Sequence, residues 1–301
     1  MHDYLKAIGF QNIRTKKDLK DLLGVVESEY NHELVVSYKN WADYCELQKE
    51  FGQGMGITLC GEVDEDERFH ADYYFPYFEG SGVTTYADVV IDKRIAREEY
   101  VGICEDPRVG ISLIFHVING VEFMREKKMG LEPGFSTSVT FSGLALAGTI
   151  LMPVQINEHQ AKDIQESSSN RKMLLDAARN GDQTAIESLT LDDIDTYSQV
   201  SKRLVKEDIF TIVNTYIMPY GIECDLYSIM GNILAVRKRE NSYSHEEVYQ
   251  MKLEVNEMQF DVVVPVEKLL GEPKAGRRFK GTIWLQGLIN FWCVKNYYIC
   301  G

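Results

Sequence analysis

Three side chains near the C-terminus have the types and spacing of a ligand-binding strand face. Arg278, Lys280 and Trp284 stand at positions i, i+2 and i+6, and residues at even intervals share one face of a β-strand. Two cations can hold a phosphate by charge, and a neighbouring indole can stack on a base. The spacing therefore predicts a ligand-binding face made by Arg278, Lys280 and Trp284. The alternative is a solvated strand edge on which Trp284 packs under a helical segment.

A pair of acidic residues offers a different chemistry. Glu223 and Asp225 lie in the segment "IECDLY", and on a strand they would share one face about 7 Å apart. That separation is compatible with acid–base or metal chemistry, although such pairs are also common on solvated strand faces. A cysteine nucleophile is a further possibility, but the sequence does not choose among six cysteines and six histidines, and buried cysteines are the default.

The familiar catalytic and cofactor motifs are incomplete. Gly276 and Gly281 have the spacing of a phosphate-binding P-loop, but Thr282 stands where that loop requires lysine. The segment "HEEVY" begins like a zinc-protease motif at His245, but Tyr249 replaces the second histidine. No motif therefore predicts a catalytic residue, a metal site or a cofactor.

Charge and cysteine usage limit the classes of partner. The net charge of −14 disfavours a protein that coats nucleic acid or binds an anionic membrane. Most of the negative charge lies in residues 1–207, so the near-neutral remainder is the region that tolerates an anionic partner. The six cysteines form no CxxC pair, and no signal peptide or membrane span is predicted. We therefore expect reduced thiols and a cytoplasmic location.

The elements that would position these groups begin with a helix near the N-terminus. The segment "TKKD" resembles a capping box that starts at Thr15. Leu19, Leu22, Leu23 and Val26 then follow the spacing of one buried helical face.

Two further segments of the N-terminal part carry short-range signals. "NWADYCELQKEFG" predicts a short helix with Asn40 as its N-cap. Asn119-Gly120 lies between apolar runs and predicts a β-hairpin with a type I′ turn. Residues from Asn157 to about Lys206 have a helical pattern.

The C-terminal part has the clearest strand pattern. Apolar and polar residues alternate in "YQMKLEV" and in "MQFDVVV". The alternating apolar residues occupy odd-numbered positions before Asn256-Glu257 and even-numbered positions after it. A two-residue turn would pair Leu253 with Phe260 on one buried face and leave Gln250 on the other face. The long alternation after Arg278 predicts one strand or a bent pair, with glycines at bends or close backbone approaches.

Together these elements predict an α+β protein. We expect an N-terminal mixed α+β domain at residues 1–156, a helical connector at 157–207 and a mostly antiparallel small β-barrel at 208–301. The order of strand, hairpin, short helix and final strand resembles the layout of an OB-like barrel.

The two ends of the chain carry a resemblance to a known family. "MHDYLKAIGF" and "GRRFKGTIWLQGLINF" resemble the ends of an uncharacterised bacterial family of about this length, known only as a domain of unknown function. The resemblance covers nearly the whole chain. It implies no activity, cofactor or catalytic residue.

Three hypotheses for function follow. The first is a non-enzymatic cytoplasmic binding or assembly module, whose partner would be a protein or a small anionic ligand. The second is an enzyme that uses Glu223 and Asp225 or a cysteine. The third is a barrel that binds single-stranded nucleic acid or a phosphate ligand, although the total charge makes nucleic acid an unfavourable partner.

Overall fold

The structure of the chain is a computed structural model that describes residues 2–39, 42–93, 99–128, 138–153 and 213–291, together with individual positions between 170 and 191. The chain divides into two compact units: one combines Met1–Leu151 with Thr215–Gly301, and the other is Met152–Asn214. Every strand named below belongs to the first unit. None of the helices in the described ranges has the length and apolar character needed to span a membrane.

Two helices begin the first unit. A 3-10 helix spans Asp3–Ile8, and helix α1 spans Lys16–Ser28. The predicted capping box of α1 is confirmed, because the Asp18 amide donates to the Thr15 hydroxyl at 3.1 Å and the Thr15 amide donates to the Asp18 carboxylate at 2.8 Å.

Four antiparallel strands follow as a meander: β1 (His32–Lys39), β2 (Ala42–Gly52), β3 (Met55–Val63) and β4 (Phe69–Phe78). The helix predicted for "NWADYCELQKEFG" is wrong, because most of that segment forms β2. Tyr44, Cys45, Glu46 and Leu47 are all buried, as expected for a central strand covered on both faces. Pairing with β1 and β3 therefore overrides the local helical pattern.

The next elements are β5 (Val89–Lys93), β6 (Tyr100–Glu105), β7 (Ser112–Val117) and helix α2 (Gly120–Lys128). The hairpin predicted at Asn119-Gly120 is wrong, because α2 starts there. The Asn119 side chain donates to the Ile289 carbonyl at 2.9 Å and accepts from the Ile289 amide at 3.0 Å. These long-range bonds direct the chain into a helix.

The remaining strands are β8 (Ser138–Leu151), β9 (Tyr216–Pro219), β10 (Leu226–Glu240), β11 (Glu247–Val255), β12 (Met258–Pro265), β13 (Leu269–Leu270) and β14 (Arg278–Asn290). Five of them close a barrel in the ring order β8, β12, β11, β10, β14 and back to β8. β8 and β12 are parallel, and the other four pairs are antiparallel.

The predicted register of the β11–β12 hairpin is confirmed. Leu253 pairs with Phe260, and both are buried in the barrel. Asn256 and Glu257 have φ values of 48° and 64°, the positive angles that a two-residue type I′ turn requires. Gln250 is also buried rather than exposed, although it lies on the other face of the strand.

The small barrel is present, but it does not lie within residues 208–301. Its strand β8 comes from the N-terminal part, and β7 also pairs with β14 through Gln286 and His116. The ten-stranded sheet that contains the barrel therefore runs across the predicted boundaries at 156 and 208. Described positions between 170 and 191 are mostly helical, and the rest of the predicted connector lies outside the described residues.

Two cores stabilise the first unit. One fills the barrel and includes Leu253, Phe260, Phe279 and Ile283. The other lies between the four-stranded sheet, the N-terminal helices and the outer face of the barrel, and it includes Trp284. The alternation of β14 therefore places Ile283 inside the barrel and Trp284 outside it.

Candidate functional site

The predicted ligand face on β14 is not an exposed surface. The side chains of Arg278 and Trp284 are buried, and Lys280 is half-buried. A guanidinium nitrogen of Arg278 lies 3.7 Å from the Met230 sulfur, and burial lowers the pKa of Arg278 below its ordinary value. The expectation that Arg278, Lys280 and Trp284 are exposed together is therefore not met, because the outer face of β14 is part of a core.

Trp284 is covered by the N-terminal segment. Its ring centroid lies 4.6 Å from that of His2, 5.5 Å from that of Tyr4 and 4.9 Å from that of His116. Its indole nitrogen donates to an Asp225 carboxylate oxygen at 3.0 Å. Trp284 is thus part of an aromatic cluster with one polar contact.

This cluster borders a cleft of about 500 Å³. The cleft is formed by the start of the 3-10 helix, the residue before β6, the turn between β9 and β10, and β14. Its lining residues are His2, Asp3, Tyr4, Glu99, Ile222, Glu223, Cys224, Asp225 and Trp284.

Long-range hydrogen bonds hold the walls of the cleft in place. The His2 amide donates to the Tyr74 hydroxyl at 2.8 Å, and the Asn241 side chain donates to the Ile8 carbonyl at 2.8 Å. On the other wall, the Leu285 amide donates to the Asp225 carbonyl at 2.9 Å. The N-terminal segment and the β9–β10 turn are thereby both held next to Trp284.

Glu223 and Asp225 do not share a strand face as predicted. Both lie in the turn before β10, which begins at Leu226. Asp225 is 6% exposed and bonded to Trp284, whereas Glu223 is exposed. The two carboxylates therefore have different environments, although both line the cleft.

The lining of the cleft is rich in acidic residues. Burial raises the pKa of Tyr4 to about 12, and the carboxylates of Glu223, Asp225 and Asp3 add to that increase. The acidic lining residues are Asp3, Glu99, Glu223 and Asp225, and no lysine or arginine is among the described residues that line the cleft. Asp3 forms a surface ion pair with Lys6 at 3.4 Å.

The aromatic wall of the cleft includes an uncharged histidine, His2. Burial lowers the pKa of His2 to about 4, and repulsion from His116 is the second cause. His2 is therefore uncharged at neutral pH, and its Nδ1 atom is buried with no hydrogen-bond partner among the described residues. A neutral aromatic wall and an acidic rim are complementary to an ammonium or guanidinium group, which binds both aromatic faces and carboxylates.

Metal binding has no comparable support. Within the described part of the chain, no group of three or more His, Cys, Asp or Glu side chains could hold a metal ion. Four cysteines are described as free thiols: Cys224 is exposed in the cleft, while Cys45, Cys60 and Cys104 are buried. Cys293 and Cys300 lie outside the described residues.

The sequence patterns point to Trp284, Glu223 and Asp225 but place them at separate sites. No motif marks His2, Tyr4 or Glu99, which meet the others only in the folded chain. The aromatic side chains of His2 and Tyr4 near the N-terminus were the available signal.

A family model matches most of the chain. The model of a family described as "Domain of unknown function, E. rectale Gene description (DUF3881)" matches residues 5–287. This confirms the resemblance seen at the two ends of the sequence. No curated protein and no solved structure matches the chain.

Proposed function

The chain belongs to this family of unknown function, and we propose that it is a non-enzymatic cytoplasmic binding module whose cleft takes a positively charged group. The observation that carries the proposal is the combination of four acidic lining residues with the aromatic side chains of Tyr4 and Trp284. The ligand class is an ammonium or guanidinium group, on a small amine or on a basic side chain of a partner protein. This replaces the small anionic ligand expected from the sequence.

Glu223 is the carboxylate best placed to meet such a group first. It is exposed, and it has no hydrogen-bond or ion-pair partner among the described residues. A charge-assisted hydrogen bond to a cation is roughly twice as strong as a neutral one. The net charge of −14 would also attract cations over longer distances.

Nuclear magnetic resonance can test the proposal on the whole chain. The chain has three tryptophans, and the indole N–H signal of Trp284 reports on the cleft because that group donates to Asp225. Titration with butylammonium should shift this signal saturably, since the added charge changes the field at Asp225. Titration with 1-butanol, which has a similar shape and no charge, should leave the signal nearly unchanged.

Equal shifts with both probes would show that the cleft recognises apolar shape rather than charge. No saturable shift with butylammonium would refute the proposed ligand class. Either result would overturn recognition of a positive charge by the cleft.

The finer fold assignment is also a proposal: the barrel is OB-like with a permuted strand order. Counted from β10, the strands β10, β11, β12, β14 and β8 form a ring in the order first, second, third, fifth, fourth. The third and fifth strands are parallel, and the 3-10 helix Val266–Lys268 lies between the third and fourth. This is the connectivity of an OB barrel whose fifth strand is supplied from earlier in the chain.

A further inference from the structure

A second depression lies on the outer face of the barrel, away from the acidic cleft. It has a volume of about 190 Å³ and is formed by strands β10, β11 and β12 with the loop after β4. Its lining residues are Ser81, Ala235, Arg237, Gln250, Lys252 and Asp261. The strand register explains the grouping, because Ala235 pairs with Lys252, Arg237 with Gln250, and Lys252 with Asp261.

The floor of the depression is a preorganised polar network. Asp261 is 2% exposed, and one of its oxygens accepts from the Ser81 amide at 2.7 Å and the Ser81 hydroxyl at 2.6 Å. The other oxygen accepts from the Gln250 side chain at 2.8 Å. Lys252 donates to the Ser81 carbonyl and lies 3.6 Å from Asp261. The buried carboxylate is therefore fully engaged and fixes Lys252 in position.

One arginine lines the depression, and a second is bonded to its lining residue Gln250. Arg239 donates from Nε to Gln250 at 2.5 Å and from a terminal nitrogen to Gln53 at 2.8 Å, so its guanidinium is held at the edge. Arg237 is exposed and has no hydrogen-bond or ion-pair partner among the described residues. Its guanidinium fork is available for a ligand.

From this geometry we infer that the depression binds a phosphate-sized oxyanion, with Arg237 as the principal donor and Lys252 and Arg239 as supporting cations. Arg237 and Lys252 line the depression with one carboxylate, Asp261, whose oxygens are already bonded, and Arg239 is bonded to the lining residue Gln250, so the local charge favours an anion. A guanidinium binds phosphate oxygens through two parallel hydrogen bonds. The small volume fits one phosphoryl group, and the net charge of −14 opposes a long polyanion.

This site is independent of the proposed cleft function because it has the opposite charge preference and shares no lining residue with the cleft. Its ligand would be a small phosphorylated compound or free phosphate. The affinities for phenyl phosphate and for inorganic phosphate distinguish these two ligands, because phenyl phosphate carries an organic group on the same phosphoryl group.

The test is a calorimetric titration of the full chain with inorganic phosphate and with phenyl phosphate. Arg237→Gln should weaken binding by about tenfold or more, because it removes a bidentate charged donor. Lys238→Gln is the matched control, since it removes one positive charge at the next position, where Lys238 pairs with Glu247 at 2.6 Å. Its affinity should stay close to that of the wild type.

Equal weakening by both substitutions would indicate general charge attraction and would overturn the site. If neither inorganic phosphate nor phenyl phosphate binds at millimolar concentration, the proposed oxyanion site is also overturned. Much tighter binding of a single-stranded oligonucleotide than of phenyl phosphate would overturn the restriction to one phosphoryl group.

Discussion

At the scale of single residues, Glu46 is the clearest case of a group whose chemistry is set by burial. Its side chain lies in the core beside the start of α2, and one oxygen accepts from the Val121 amide at 3.3 Å. The other oxygen has no hydrogen-bond partner among the described residues. Burial therefore raises the pKa of Glu46 to about 8.

This increase predicts a pH-dependent stability. The folded state holds the Glu46 proton up to about pH 8, while the unfolded state releases it near its ordinary pKa of about 4.3. The contribution to stability is thus complete below the unfolded pKa and is lost as pH rises through the folded pKa. Glu46→Gln mimics the protonated form, so we expect its advantage in stability over the wild type to be larger at pH 9 than at pH 5.

Urea unfolding at the two pH values measures this difference. Glu267→Gln is the control, because Glu267 is exposed and the same change of charge there should not alter the pH dependence. If the wild type and Glu46→Gln lose the same stability between pH 5 and pH 9, Glu46 is not protonated in the folded protein.

Among the secondary-structure elements, sequence patterns predicted the conformation correctly where the contacts that define the element are local. The capping box at Thr15 and the β11–β12 hairpin both involve neighbours a few residues apart. Asn119-Gly120 failed as a turn because its neighbours in the fold are Ile289 and Glu46, which lie far away in the sequence. The β2 segment failed because pairing on both sides decided its conformation.

Two glycines, Gly287 in β14 and Gly24 in α1, give opposite predictions for stability. A Cβ atom added at Gly287 in β14 would lie 2.4 Å from the ring of Phe115, which is fully buried. Gly287→Ala should therefore destabilise the protein by roughly 1–3 kcal/mol through overpacking. Gly24 in α1 has open space around it, so Gly24→Ala should stabilise the helix by about 0.5–1 kcal/mol.

Chemical denaturation of the two variants and the wild type checks both signs. Destabilisation by Gly24→Ala would contradict the exposed position of that residue in α1. An unchanged stability for Gly287→Ala would contradict the close approach of β14 to Phe115.

At the scale of the whole molecule, the barrel shows what the sequence could not predict. The alternation of β10 to β14 indicated a small barrel, but its fifth strand, β8, comes from before residues 152–214. No local sequence pattern indicates which distant strand will pair with β12 and β14 to close the barrel. The cleft depends on the same long-range assembly, because it joins residues 2–4, 99, 222–225 and 284.

Cation binding by the cleft is tested most directly by a calorimetric titration of butylguanidinium into the wild type, Glu223→Gln and Glu267→Gln. Both substitutions remove one exposed carboxylate, but only Glu223 lines the cleft. We expect saturable binding that Glu223→Gln weakens by about fivefold or more and that Glu267→Gln leaves unchanged. Equal affinities for all three proteins, or no binding by the wild type, would contradict the claim that the cleft recognises a positively charged group.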